Sequence, residues 1–115
     1  MKLYLIVRSD LPLGQQAVQA AHALREFSER YPEEDCRWYK QSNTLALLAG
    51  TNEAALRALL EEARWQAIPA ASFHEPDRNN ELTAIALGPT AKKLCRNLPL
   101  AFDAPGGSGQ NPRFI

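Results

Sequence analysis

The chain has 115 residues, 45% of them hydrophobic, and 13 basic side chains balance 13 acidic ones to a formal net charge of zero. That length supports one domain with a single core, and the neutral balance excludes a global polybasic field, so any nucleic-acid contact has to come from a local patch. The two cysteines, Cys36 and Cys95, sit outside any C-x-x-C or Cys/His cluster, which argues against a zinc site and for free thiols in a reducing compartment.

At the N-terminus one lysine precedes only five apolar residues before Arg8, too few for a signal sequence, and no apolar run approaches the length of a membrane span. The expectation is a cytoplasmic protein without a membrane partner. Residues 2–8 read as a first strand. Residues 15–31 read as a helix, ended at Tyr31-Pro32 because proline disfavours helical geometry in the residue before it. On this helix Gln15, Gln19 and His22 recur at i, i+4 and i+7 and share a polar stripe, while Ala17, Ala20, Ala21, Leu24 and Phe27 form an apolar one. Asp10, just ahead of it, is expected to cap the helix or turn the chain.

A charged connector beginning Glu33-Glu34-Asp35 leads through Trp38 and Tyr39 to a second strand at 44–49, ended by Gly50. Thr51 or Asn52 caps a second helix, whose Leu56, Leu59, Leu60 and Ala63 face inward and whose Glu53, Arg57, Glu61 and Glu62 face water. Residues 68–73 form a short third strand, with Pro69 indicating an edge or a strand start. The polar loop 74–81 follows, then a fourth strand at 82–87. Gly88-Pro89 breaks that strand, and Thr90 is placed to cap a short helix through Cys95. Residues 1–100 thus form one domain, and 101–115, rich in Gly, Pro and Ser over 104–112, a flexible tail.

Apolar strands alternating with helices imply an α/β fold, a three-layer α/β sandwich around a four-stranded mixed sheet. The first two strands are expected to run parallel through a right-handed crossover and the last two to pair antiparallel. Trp38, Tyr39 and Trp65 are read as core or interface aromatics, and Lys92, Lys93 and Arg96 as a solvated basic face.

Two polar segments remain, 10–22 and 74–83, attached to the ends of neighbouring strands and expected to converge on one cleft. Glu75, Asp77, Arg78, Asn79 and Asn80 put carboxylate, guanidinium and amide groups within six positions, a composition suited to acid–base work as well as to turns.

These segments resemble a known family. A strand, then Asp10-Leu11, then Gly14 opening a helix that carries Gln19, His22 and Ala23, later Arg78, and finally Thr83 followed by Leu87-Gly88-Pro89, is similar to the peptidyl-tRNA hydrolases of the second type. The resemblance spans roughly residues 3–100. It implies metal-free hydrolysis of the ester between a peptide and the 3′-terminal ribose of tRNA, with no cofactor, peptidyl-tRNA as partner and a homodimer as a plausible assembly. By position, His22 matches the family's cleft histidine, Arg78 its loop arginine and Thr83 the threonine opening its last strand. The departures are specific. The family's lysine after the helix-starting glycine is Gln15 here, its loop aspartate corresponds best to Glu75, Asp77 replaces a glycine, and Asn79 replaces a threonine.

The resemblance thus assigns water activation to Glu75 or Asp77 with help from His22, and oxyanion stabilisation to Gln15, Thr83 or backbone N–H groups near Gly14. Asp10, Gln19, Arg78, Asn79 and Arg8 are the expected substrate contacts, with Lys92, Lys93 and Arg96 as further phosphate contacts. Two other readings stand beside it: a non-catalytic member of the fold that binds RNA or protein, and a hydrolase of a smaller acyl ester or amide.

Overall fold

The computed structural model describes residues 1–102. Of the 101–115 stretch read as a flexible tail, residues 103–115 lie outside the described residues. In chain order the elements are β1 (Lys2–Arg8), α1 (Leu13–Arg30), α2 (Pro32–Gln41), β2 (Thr44–Gly50), α3 (Glu53–Trp65), β3 (Ala70–Glu75) and β4 (Glu81–Leu87), with single 3₁₀ turns at Pro76–Arg78 and Pro89–Ala91.

The strands form one sheet in the order β2-β1-β4-β3. β1 and β2 are parallel, joined through α1 and α2, while β4 runs antiparallel to both β1 and β3. β1 and β4 are central, and six of seven residues in each are buried, because helices cover both faces. On one face Leu3, Leu5, Val7, Ala84 and Ala86 pack against Ala20, Ala23 and Phe27 of α1 and Trp38 of α2. On the other, Tyr4, Ile6, Ile85 and Leu87 pack against Leu56, Leu60 and Ala63 of α3. This is a three-layer α/β arrangement around a mixed four-stranded sheet. The free edge of β2 is covered by the chain at 99–101, where Ala49 N–H donates to the Pro99 carbonyl and Ala101 N–H to that of Leu47.

Several local expectations are corrected. The charged connector is helical: Pro32 ends α1 and also opens α2 at its first position, where a missing N–H costs nothing, and Glu33, Glu34 and Asp35 fill the first turn where the helix dipole favours acid. Of the three aromatics read as core or interface residues, Trp38 is a core residue that donates to the Thr44 carbonyl, and Tyr39 and Trp65 are exposed and so lie outside the core. α1 begins at Leu13, two residues early, and its buried stripe is Gln16, Gln19, Ala20, Ala23 and Phe27. Ala17 and Ala21 face water. β3 starts after Pro69 and runs on through His74 and Glu75, so those two residues belong to a strand rather than a loop. No helix reaches Cys95 from Thr90: Gly88, not Thr90, precedes the Pro89–Ala91 turn.

The α3 ends are well defined. Asn52 accepts a hydrogen bond from Ala55 N–H as the N-cap. At the far end Ile68 N–H donates to the Ala63 carbonyl and Ala67 N–H to that of Arg64, a Schellman motif that puts Ala67 at φ 58° where glycine is the usual occupant.

Candidate functional site

The site is built where β1, the α1 N-terminus and the β3–β4 hairpin meet. The chain leaves β1 through Ser9-Asp10-Leu11 and enters α1 at Pro12, which makes no side-chain cap. Its first intrahelical bond is donated by Gln16 N–H to the Pro12 carbonyl, so the N–H groups of Gly14 and Gln15 precede the helical ladder at the positive end of the helix dipole. The Gln16 side chain turns back and donates to the Leu11 carbonyl at 2.6 Å, pinning the loop from inside.

The hairpin supplies the opposite wall. Pro76–Arg78 form one 3₁₀ turn, and Asn79 and Asn80 then both take left-handed conformations at φ 56° and 59°. Asparagine tolerates that region better than most residues, and Asn80 N–H closes the turn on the Glu75 carbonyl. Asn79 is therefore a turn residue. Between these walls lies an open groove of about 610 Å³, lined by Pro12, Gly14, Gln15, Val18, Gln19, Glu75, Asp77 and Arg78.

A hydrogen-bond relay crosses from the sheet into this groove. Phe73 pairs with Ala84 and His74 with Leu82, so Thr83 is the extra residue of a β-bulge. The bulge keeps Thr83 on the α1 side of the sheet beside Ala84, where a regular strand would send one of the two to the α3 side. Fully buried, its hydroxyl donates to the Gln19 amide oxygen at 2.8 Å. Gln19, 3% exposed, donates through Nε2 to Glu75 Oε1 at 3.1 Å. A carboxylate can only accept here, so the Gln19 amide nitrogen must face Glu75 and its oxygen must face Thr83. The relay thus fixes the Glu75 carboxylate at one oxygen.

His22 sits one turn further along α1, exposed, its ring stacked on Phe73 of β3 at a centroid separation of 4.3 Å. It flanks the groove and does not line it. Of the residues expected to share one cleft, Gln15, Gln19, Glu75 and Arg78 line the groove with Asp77.

Arg8 departs from its sequence expectation, and of the two readings of Asp10 the structure bears out the turn, which Asp10 occupies directly after β1. Asp10 caps nothing: its two carboxylate oxygens accept Nε and Nη2 of Arg8, both at 2.9 Å, in a bidentate pair. Arg8 Nη1 donates to Glu81 at 2.8 Å and to the Leu82 carbonyl. Hydrogen bonding to Arg8 holds the Asp10 and Glu81 carboxyls below their ordinary range and raises the guanidinium further above its own. Arg8 is 6% exposed and gives four of its five N–H donors to these partners, so its charge is already matched by two carboxylates and little of it faces a phosphate. Glu53 likewise does not simply face water: it accepts the Leu82 N–H at 2.7 Å and so holds the start of β4. Lys92, Lys93 and Arg96 follow β4, away from the groove, which leaves Arg78 as the one cation lining it among the described residues; Arg78 Nε lies 3.4 Å from Glu81. Two contributors were missed in the sequence, Gln16 and Glu53. A polar residue at the helical spacing of Ala20, Ala23 and Phe27 was the available signal for the first; nothing local marks the second.

Among the described residues no group of three or more His, Cys, Asp or Glu side chains is placed to hold a metal, and no helix is long and apolar enough to cross a membrane.

A small α/β domain with a polar groove between a helix N-terminus and a β-hairpin puts its candidate site at the sheet's end, where α/β folds commonly place ligand contacts. The comparison with protein families makes this specific: the model described as "Peptidyl-tRNA hydrolase PTH2" matches residues 1–100, and the chain belongs to that family. No curated protein matches it. Family membership carries a peptidyl-tRNA hydrolase-like function and places the chain among proteins of translation.

Proposed function

We propose that the chain hydrolyses the ester joining a peptide to the 3′ end of tRNA, with Glu75 as the general base. The observation that carries this reading is the Thr83–Gln19–Glu75 relay, which orients a carboxylate at a groove whose other wall is a helix N-terminus. One Glu75 oxygen is held by Gln19; the other is left for a water.

In the proposed step Glu75 takes a proton from that water as its oxygen attacks the ester carbonyl carbon. The negative charge then formed on the carbonyl oxygen is met by the N–H groups of Gly14 and Gln15 and by the Gln15 amide, donors aligned with the helix dipole. Collapse breaks the bond to the ribose oxygen, which takes the proton back from Glu75 and leaves with the tRNA, while the peptide departs as a carboxylic acid. Thr83, fully buried and donating to Gln19, acts through that amide rather than on the oxyanion. Arg78 is the groove's phosphate contact. Asp77 shares the wall with Glu75 but lacks its relay, and His22, stacked on Phe73, borders the entrance as a surface for a base or peptide side chain.

The neutral Gln15 gives this site less positive charge than the family lysine would supply, which favours as second reading an ester of smaller demand with the same groove. The discriminating experiment sets purified protein against N-acetylaminoacyl-tRNA and a short acyl ester, each with and without chelator. Release of the N-acetylamino acid, undiminished by chelator, is the expected result. Cleavage of the short ester alone would select the second reading, and cleavage of neither would select the binding-module reading.

A further inference from the structure

A second cavity lies on the other face of the sheet and at the other end of β1. It holds about 190 Å³ between the β1–β2 surface and the chain that follows β4. At about 30 Å³ per water this is room for roughly six waters, or for a phenyl ring or short branched chain. α3 packs chiefly over β4, so the floor here is sheet surface, Ala46 and Leu48, walled by Leu98 and Leu100.

Its charged groups are all cationic. Lys92 and Arg96 line the mouth, both exposed, and neither has a carboxylate partner among the described residues; Lys2 adds a third cation to the lining. Tyr4 is 6% exposed, and its hydroxyl makes no hydrogen bond among the described residues. Since no fully buried side-chain N or O atom among the described residues lacks a partner, that hydroxyl keeps some exposure, and the residue itself lines the cavity. Burial raises the pKa of Tyr4 and pushes the Cys95 thiol up to about 12, so both groups stay neutral, and the hydroxyl keeps its proton to donate. An apolar floor, a nearly buried donor without an acceptor and cations at the rim are complementary to one type of ligand.

We propose that this cavity binds a small organic anion, an apolar body the size of a phenyl ring carrying one carboxylate or phosphate, with the body on Leu48 and Leu98 and the anionic group between Tyr4, Lys92 and Arg96. The site is distinct from the groove: Lys2 and Arg8 mark opposite ends of a strand, about 20 Å apart at 3.3 Å per residue, and Tyr4 belongs to the α3-side core. It does not rest on the hydrolase reading.

Titration calorimetry on the full chain tests it, with phenylacetate, phenyl phosphate, benzyl alcohol and inorganic phosphate as probes. Phenylacetate or phenyl phosphate should bind saturably at one site, and whichever binds more tightly identifies the headgroup. Benzyl alcohol and inorganic phosphate should each bind at least tenfold more weakly, lacking the charge or the body. Lys92→Gln with Arg96→Gln, both at exposed positions, should weaken the better anion at least tenfold without moving the unfolding midpoint. Tyr4→Phe should weaken it severalfold. The proposal is overturned if neither aromatic anion saturates, if inorganic phosphate binds as tightly as the aromatic anions, or if the double substitution leaves their binding unchanged.

Discussion

The Thr83 hydroxyl lies 2.8 Å from the amide oxygen of Gln19, a contact between a bulged residue of the central strand β4 and the buried side of α1, 64 positions apart in the chain. It joins the sheet to the helix and, through the Gln19 amide, to Glu75 in the groove. Replacing Thr83 with Val keeps the shape and deletes the donor, leaving a buried amide oxygen unsatisfied at a cost of about 1–3 kcal/mol. Denaturant unfolding should report that loss, and kcat should fall more than KM rises, because the amide is then free to rotate away from Glu75. Thr83→Ser should restore both. A valine variant with unchanged kcat would remove Thr83 from the positioning of the base.

The Arg8 cluster predicts how stability depends on pH. Asp10 and Glu81 have folded-state pKa values below their ordinary 3.8 and 4.5, chiefly through hydrogen bonds to Arg8. A depressed carboxyl stabilises the fold above its unfolded pKa, and that contribution is lost as pH falls toward the folded value. Stability should therefore be flat above about pH 5 and decline below it. Arg8→Met should lower stability at pH 7 and flatten the acid limb, as measured by unfolding at a series of pH values. An acid limb of unchanged steepness would show that other carboxyls carry it.

Restoring the family's lysine tests the groove's weakest point. Gln15→Lys places an ammonium at the α1 N-terminus, where it opposes the helix dipole at a cost of about 0.3–1 kcal/mol. Hydrolysis of peptidyl-tRNA should nevertheless rise tenfold or more, about 1.4 kcal/mol of transition-state stabilisation. A folded variant with no gain would show that Gln15 does not face the reacting ester.

Ala67 closes α3 in a left-handed conformation at φ 58°. That region costs an L-residue about 1–2 kcal/mol, partly offset by the greater unfolded-state freedom of glycine. Ala67→Gly should raise stability by roughly 0.5–1 kcal/mol on that balance, measured as a higher unfolding midpoint with unchanged hydrolysis. A lower midpoint would show that the Ala67 methyl contributes packing that outweighs the strain.

What could be read in the sequence followed the physics that acts locally. Leu3 to Val7 and, Thr83 apart, Leu82 to Leu87 are apolar on both faces because helices cover both, and such runs stand out without a partner in view. The stop at Tyr31-Pro32 and the Asn52 cap are equally local. The same proline also hid α2, since a breaker and a first helical residue are one signal, and the charges after it suit both a loop and a helix's first turn. The sequence places Gln19 on a polar stripe with Gln15 and His22, and its burial is not legible there because its partner, Thr83, is 64 residues away and reaches it only through a bulge that no periodicity marks. Arg8 looked like a phosphate contact for the same reason: Asp10 is two residues away, but Glu81 is 73.

The central claim is that the relay-held carboxylate of Glu75 takes the proton from the attacking water. Glu75→Gln preserves size and the capacity to accept from Gln19 while removing the base, and general-base catalysis contributes about 10²–10⁴-fold. Single-turnover hydrolysis of N-acetylaminoacyl-tRNA by wild type and Glu75→Gln, at matched folding, measures this directly. The account predicts a rate at least a hundredfold lower for the variant, with tRNA affinity retained; a variant that cleaves within a few-fold of wild type would contradict it.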